Sequence, residues 1–426
     1  MIMHRVYNPY TALPMNPEEL TRLVSDGVDR AKAGDALAVY AVVAPYHDNG
    51  ALSPKSHYPF GWIIYYAIHQ SAATEITGRK RMLARYMQLQ VQRPHKLHSM
   101  ILTQAIRLYK ESREASMAAR LNGKQLPAEC EFSLIRFTAL WGLRNLRPGD
   151  WRRKEHEGRP VSSTVEKLIT HYCDELHHTS ASADPPADFM AVMERGMQEY
   201  ADSCNILAQR AALHIDAGRR EEGERLLQQA VLTAPGKFFL WSRLAGALAD
   251  DASPRLRIAL LYRALSAPGQ DIYKGRVRMA MAEAWHNAGM ATHSLWELNA
   301  VKRLYEANGW HLPRRHAELS RQLPPDTVAA DPAAMYRRVE HYASDYLYQS
   351  LPEIRVTKNY HKESREETDR YGRRRIAPAA WRVADSRGTS YWLTPEQHGI
   401  DASLPHGTGL DIRVHNRKVV SARLAE

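Results

Sequence analysis

Residues Cys204 to Pro235 read CNILAQRAALHIDAGRREEGERLLQQAVLTAP. Apolar residues recur every three to four positions on both sides of Ala217-Gly218, the pattern of two amphipathic helices joined by a tight turn. Ala211 and Ala230 are the small residues at which two helices can approach closely, and Pro235 ends the second helix. The next residues repeat this plan with Trp241, Leu244, Ala245, Leu261, Ala264 and Pro268. A third copy offers Met281, Ala282, Trp285, Gly289 and Leu298. Ala211, Ala245 and Ala282 are spaced 34 and 37 residues apart. A helix pair cannot bury its apolar stripe alone, so a period of this length predicts stacked pairs.

Over residues 204–305 these positions resemble the tetratricopeptide-repeat family, which implies a solenoid of helix pairs that binds protein partners on a concave face. The pattern departs from that family where helix B carries Gly223, Arg257 and Ser294 instead of alanine, and in the second turn, which is one residue short. Helix A positions Arg210, His214, Arg243 and Arg278 are the candidates for the concave, protein-binding face.

Outward from the repeats, the chain reads as mainly α with a small all-β C-terminal module. Asn16-Pro17-Glu18-Glu19 is a helix start, and Gly34-Asp35 a stop followed by a second short helix to about Ala44. Residues Pro45 to Pro59 read as a loop. Helical periodicity covers Phe60–Gln70, Ile76–Val91, Leu97–Leu121, Phe132–Leu146, Ser162–His178 and Phe189–Leu213. Leu97, Ile101, Ala105 and Leu108 line one face of the third of these. Thr179–Asp188 and Leu323–Ala334 are linkers, and a last helix covers Ala334–Leu351. The domains expected are therefore a helical domain over 1–180, repeats over 189–322, and a terminal helix with the β module over 335–426.

Strand signals appear only after residue 350, at Ala380–Asp385, Thr389–Leu393, Leu410–Val414 and a last strand with Val420, Ala422 and Leu424 facing inward. Ile354–Thr357 adds a fifth strand, and Lys362–Arg375 reads as a solvated charged loop. The strand lengths and LPHGTGLDIRV resemble a small oligonucleotide-binding or cold-shock-type barrel, which implies a nucleic-acid contact. Trp381 and Tyr391 then fill the core, and Trp392, Arg382, Arg413, Arg417 and Arg423 point outward.

Among 426 residues, Lys and Arg exceed Asp and Glu by 11. The excess is local. No acid occurs between Glu75 and Glu111, a span holding Arg79, Lys80, Arg81, Arg85, Arg93, Lys96, Arg107 and Lys110. Arg79, Lys80, Arg81, Arg85, Arg107, Lys110 and Arg113 are the candidate phosphate-binding residues here. Further clusters are Arg152-Arg153-Lys154 and Arg373-Arg374-Arg375. The apolar patch Trp62–Ile68 is long enough only for a buried helix. The first fourteen residues lack the apolar run of a signal peptide. With three isolated cysteines, Cys130, Cys173 and Cys204, this leads us to expect a cytoplasmic protein.

His171, Cys173, Asp174, His177 and His178 form the one dense set of metal-ligand types, without the spacing of a metalloprotease or a zinc finger. Arg93 and His98 have a spacing seen in some helical ribonucleases, interrupted by Pro94. No phosphate loop, dinucleotide fingerprint or nucleophile elbow is present. We therefore expect a non-enzymatic scaffold or adaptor, without metal or cofactor, within a bacterial multi-protein complex. The alternatives are a nucleic-acid-binding protein using residues 79–110 and the C-terminal module, and a metal-dependent hydrolase or nuclease using the histidine cluster.

Overall fold

A computed structural model describes residues 15–178, 185–249, 251–349, 351–363, 365–368, 374–377, 379–415 and 417–425. The N-terminal stretch, residues 179–184 of the first linker and Arg373 lie outside them. Contacts divide the chain into one unit of residues 1–218 with 306–312 and another of 219–305 with 313–426.

The first unit opens with α1 (Pro17–Arg30). The Asn16 side chain accepts from the Glu18 and Glu19 amides at 3.0 and 2.9 Å, and the Glu19 carboxylate reaches back to the Asn16 amide, a reciprocal cap. Gly34, at φ 116°, makes the kink into α2 (Ala36–Asp48). Then follow α3 (Pro54–Gln70), α4 (Ile76–Gln88), α5 (Lys96–Leu121) and α6 (Leu134–Trp141). The loop expected from Pro45 to Pro59 shrinks to residues 49–53, because Pro45 and Pro59 both lie inside helices and Pro54 begins α3. A proline there removes one backbone donor, and the fully buried residues of α3, Phe60, Ile63, Ile64 and Ala67, outweigh that loss.

The first unit packs around α5, which contacts α3, α4, α6 and α7 (Thr164–His178). Leu97, Ile101, Ala105 and Leu108 are all fully buried, so the face read from the sequence is the core face. Before α7 comes a hairpin, β1 (Lys154–His156) and β2 (Arg159–Val161), which the periodicity did not reveal because each arm is three residues long. The helix expected over 189–213 is two, α8 (Ala187–Glu199) and α9 (Cys204–Asp216). Between them the buried Tyr200 hydroxyl reaches the Trp151 carbonyl and Ser163, and this anchor turns the chain out of helical geometry.

In the second unit, α10 (Arg220–Thr233), α11 (Phe238–Ala247), α12 (Pro254–Ser266), α13 (Gly275–Asn287) and α14 (Ala291–Ala307) follow one another, with α11 against α10 and α12, and α12 against α13. Ala230, Ala264 and Ala282 are fully buried and Ala245 nearly so. Gly289 takes the left-handed conformation that closes α13. The departures from the repeat pattern have structural uses. The Arg257 guanidinium donates to the carbonyls of Ala245, Leu248 and Ala249 at 3.2, 3.4 and 2.9 Å, capping α11 where no turn glycine exists. The Ser294 hydroxyl donates to the Ala282 carbonyl at 2.8 Å.

After α15 (Arg314–Gln322), α16 (Ala333–Tyr348) packs on α12 and also reaches α10 and α14. Tyr336 stacks on Tyr262 of α12, Glu340 pairs with Arg263 at 2.8 Å, and the Tyr346 hydroxyl donates to Glu224 of α10 at 2.7 Å. Tyr336 also reaches Glu297 of α14, which is buried and holds Arg278 of α13 at 2.8 Å.

The C-terminal sheet contains β3 (Glu353–Lys362), β6 (Ala380–Asp385), β7 (Ser390–Leu393), β8 (Gly409–His415) and β9 (Lys418–Leu424). Its order is β7-β6-β3-β8-β9, antiparallel throughout, and it curls so that β7 and β9 draw near without pairing, a half-barrel. The charged run read as a loop holds a two-stranded ribbon, β4 (Arg365–Thr368) with β5 (Arg374–Ala377). Val356, Trp381, Val383, Leu393, Ile400, Leu410 and Ile412 form the core, with Tyr391 packed against it. A bulge between Arg413 and Val414 shifts the register of β9, so Val419 replaces the expected Val420 inside and Leu424 is half exposed. Lys358 also points inward, its amine 4.0 Å from the Trp381 ring centre and bonded to the Leu404 carbonyl.

Candidate binding surfaces

Folding takes up most of the basic stretch in the first unit. Arg79 is buried, paired with Glu111 and donating to the Ala73 carbonyl, so it is no surface residue. Lys80 donates to the Glu129 and Glu131 carbonyls at 2.7 and 2.5 Å. Arg85 grips both oxygens of Asp48, at 2.8 and 2.6 Å, and lies against Tyr40. That bidentate contact holds the Asp48 carboxyl below its ordinary pKa. Arg107 pairs with Glu111 at 2.8 Å, Lys110 with Glu114 at 3.7 Å and Arg113 with Asp174 at 3.4 Å. Arg81 alone of these seven is exposed without an ion-pair partner among the described residues. Arg153 likewise serves the fold, clasping Glu166 at 2.9 and 2.6 Å.

The histidine motifs sit inside the same framework. Asp174 accepts from Tyr109 at 2.9 Å and faces Arg113 and His178, whereas His177 turns to Asp216. Cys173 is buried. Among the described residues no group of three or more His, Cys, Asp or Glu is placed to hold a metal ion. His98 is fully buried and stacked on Trp141, 4.5 Å between ring centres, with Tyr86 on one ring nitrogen and the Trp141 carbonyl on the other. Burial pushes its pKa down to about 4, so it is a neutral core residue out of reach of substrate.

The helix A candidates divide. Arg210 pairs with Glu194 at 2.5 Å, Arg278 with Glu297, and Arg243 is exposed beside Phe239; His214 is half-buried on α9. A signal of a different kind marks an open surface. A cavity of about 460 Å³ lies between α11, α12 and α13, lined in part by Ser242, Gly246, Arg257, Glu283 and Asn287. Its other walls are small or aliphatic, including Ala245, Ala280, Ala284 and Leu261. Gly246 lines this wall in the last turn of α11, and a Cβ built there would meet nothing within 4 Å. By contrast, side chains at Gly27, Gly61 and Gly196 would strike Val39 at 2.8 Å, Leu97 at 2.9 Å and Ile169 at 2.5 Å. Helix packing requires those three glycines; it does not require Gly246.

On the sheet, register places Tyr360 of β3 opposite Arg382 of β6, and Arg382 opposite Trp392 of β7. Tyr360 and Trp392 are 52% and 55% exposed, in an edge-to-face pair 6.4 Å apart over this row. Arg382 is exposed and has no ion-pair partner among the described residues. Tyr360 was missed from the sequence because the bulge after Lys358 changes its face. Of the other outward candidates, Arg423 pairs with Glu353 at 3.1 Å, Arg413 is half-buried, and Arg417 is exposed in the β8–β9 turn at φ 64°.

Residues 208–343 match a family model described as a domain of unknown function (DUF7017), ending inside α16. No curated protein matches the chain.

Proposed function

We propose that this chain is a non-enzymatic adaptor whose α10–α14 helices act as a tetratricopeptide-like repeat, holding an extended segment of a partner protein in the groove between α11, α12 and α13. Gly246 carries the reading. A glycine in the last turn of a helix is less favourable than alanine, by up to about 1 kcal/mol, and here no internal contact accounts for it. Its missing side chain widens a groove whose alanine walls let a peptide backbone approach closely. The polar groups around it, Ser242, Asn287 and Glu283, supply hydrogen bonds to that backbone, while α16 braces the helices through α10, α12 and α14.

Peptides selected from a display library on the full chain test this. The Gly246→Leu variant, which puts a larger side chain into the groove, should weaken the selected peptides at least tenfold. Failure to select any peptide, or binding indifferent to Gly246→Leu, would sink the proposal. The Tyr360–Arg382–Trp392 row favours a second reading, in which the C-terminal module contacts a nucleic-acid strand. Loss of oligonucleotide binding in Trp392→Ala is its separate test.

A further inference from the structure

The solvent side of α3 is aromatic where an amphipathic helix would be polar. Tyr58, Trp62, Tyr65, Tyr66 and His69 lie on one face of the helix and form one connected ladder. Trp62 meets Tyr58 at 6.4 Å, Tyr65 at 5.9 Å and Tyr66 at 5.9 Å, and Tyr65 stacks on His69 at 6.1 Å. At its N-terminal end, Tyr58 is 42% exposed and stands edge-on to His95, 5.0 Å between ring centres. The rings between are half-buried, with one side on the core and the other outward.

Along the chain, the charge next to the ladder is mostly positive. Between residues 49 and 110 the only acid is Glu75. Lys55 lies one turn before Tyr58 on the same helix face, and Arg93 and Lys96 flank His95. None of these three cations has an ion-pair partner among the described residues, unlike Arg79, Arg85 and Arg107 of the same span. The first turn of α5 begins at Lys96, and its helix dipole adds to the positive potential there.

We infer that the α3 ladder is a stacking platform for single-stranded nucleic acid, with Lys55, Arg93 and Lys96 on the phosphates at one end. Planar ring faces suit bases of any sequence, and cations without an ion-pair partner suit phosphate. For a protein partner the cations would matter only at the Tyr58 end, whereas bases can stack along the whole ladder. From Tyr58 to His69 the helix rises about 16 Å, room for roughly three bases in an extended strand. The inference does not rest on the groove of the second unit.

Photocrosslinking tests it directly. The full chain is irradiated with an iodouridine-substituted single-stranded oligonucleotide and the linked peptides are identified by mass spectrometry. The expected result is crosslinks within residues 54–70, with affinity falling steeply with salt. Tyr58→Ala should weaken binding roughly five- to one-hundred-fold. Lys96→Gln should reduce the slope of log K against log salt by about one. Absence of binding at low salt overturns the inference, and so do crosslinks confined to the C-terminal sheet or to other helices. Since Tyr58 and Lys96 are exposed, neither variant endangers the fold, and the crosslink map needs no variant.

Discussion

The basic helices of the first unit and the open surfaces of the second contain similar residues and use them oppositely. In the first, Arg79, Lys80 and Arg85 are engaged by carboxylates and carbonyls that come from outside their own helix. In the second, Arg382 stands between two exposed rings, and Gly246 leaves space that no neighbour fills. The difference teaches that an acid-free run in a sequence does not make an acid-free surface. Asp48 and Glu111 lie outside the run and fold onto it. Exposed features without an internal reason are the better guide to binding.

The contrast breaks most sharply at Arg79. If its role is structural, Arg79→Ala leaves a buried void beside Glu111, which keeps only Arg107, and a urea titration should show a loss of about 2–5 kcal/mol. A loss below about 1 kcal/mol would return Arg79 to the list of binding residues. His98, in the same stretch, makes a pH-dependent contribution. Its folded pKa of about 4 lies below the value near 6.5 of an unfolded histidine, so between these limits the unfolded chain binds the proton more readily. Stability from this group is present above about pH 6.5 and is lost as pH falls towards 4, by about 3 kcal/mol in all. Urea midpoints at pH 7 and pH 4.5 should therefore differ by less in His98→Phe than in the native chain.

The second unit should respond in the other direction. Gly246→Ala relieves the helix of its glycine in open space and should stabilise the chain by about 0.5–1 kcal/mol. Destabilisation there would mean that the groove is tighter than its geometry indicates. The smallest effect belongs to Trp392→Ala, within about 0.5 kcal/mol in thermal melts, as for other exposed positions. A larger loss would identify Trp392 as a core residue and remove the contrast with Arg79.

Much of the local structure was legible. The Asn16 cap, the inward face of α5 and the alternation that buries Trp381 while exposing Trp392 follow from propensity and period alone. The surfaces were less so. Trp62 to Ile68 read as a buried helix because apolar density does not distinguish the core face of α3 from its outward ladder. The three-residue arms of β1 and β2 gave no period, and the bulges in β3 and β9 changed faces without a composition signal. The charges of Lys362–Arg375 concealed a ribbon because backbone pairing does not depend on side-chain type.

By itself the sequence determined most of the helices, the close contacts at Ala245, Ala264 and Ala282, and the change from helix to strand after residue 350. Those are settled by interactions within a few turns or one strand, where residue spacing and backbone geometry act directly. Tertiary structure decided which cations face solvent, which glycine is unforced, and that the five strands curl into an open half-barrel. Each of these depends on groups brought together from distant positions in the chain, as Arg79 is with Glu111 and Tyr346 with Glu224. Their juxtaposition is fixed by burial of the shared core, which no local pattern encodes.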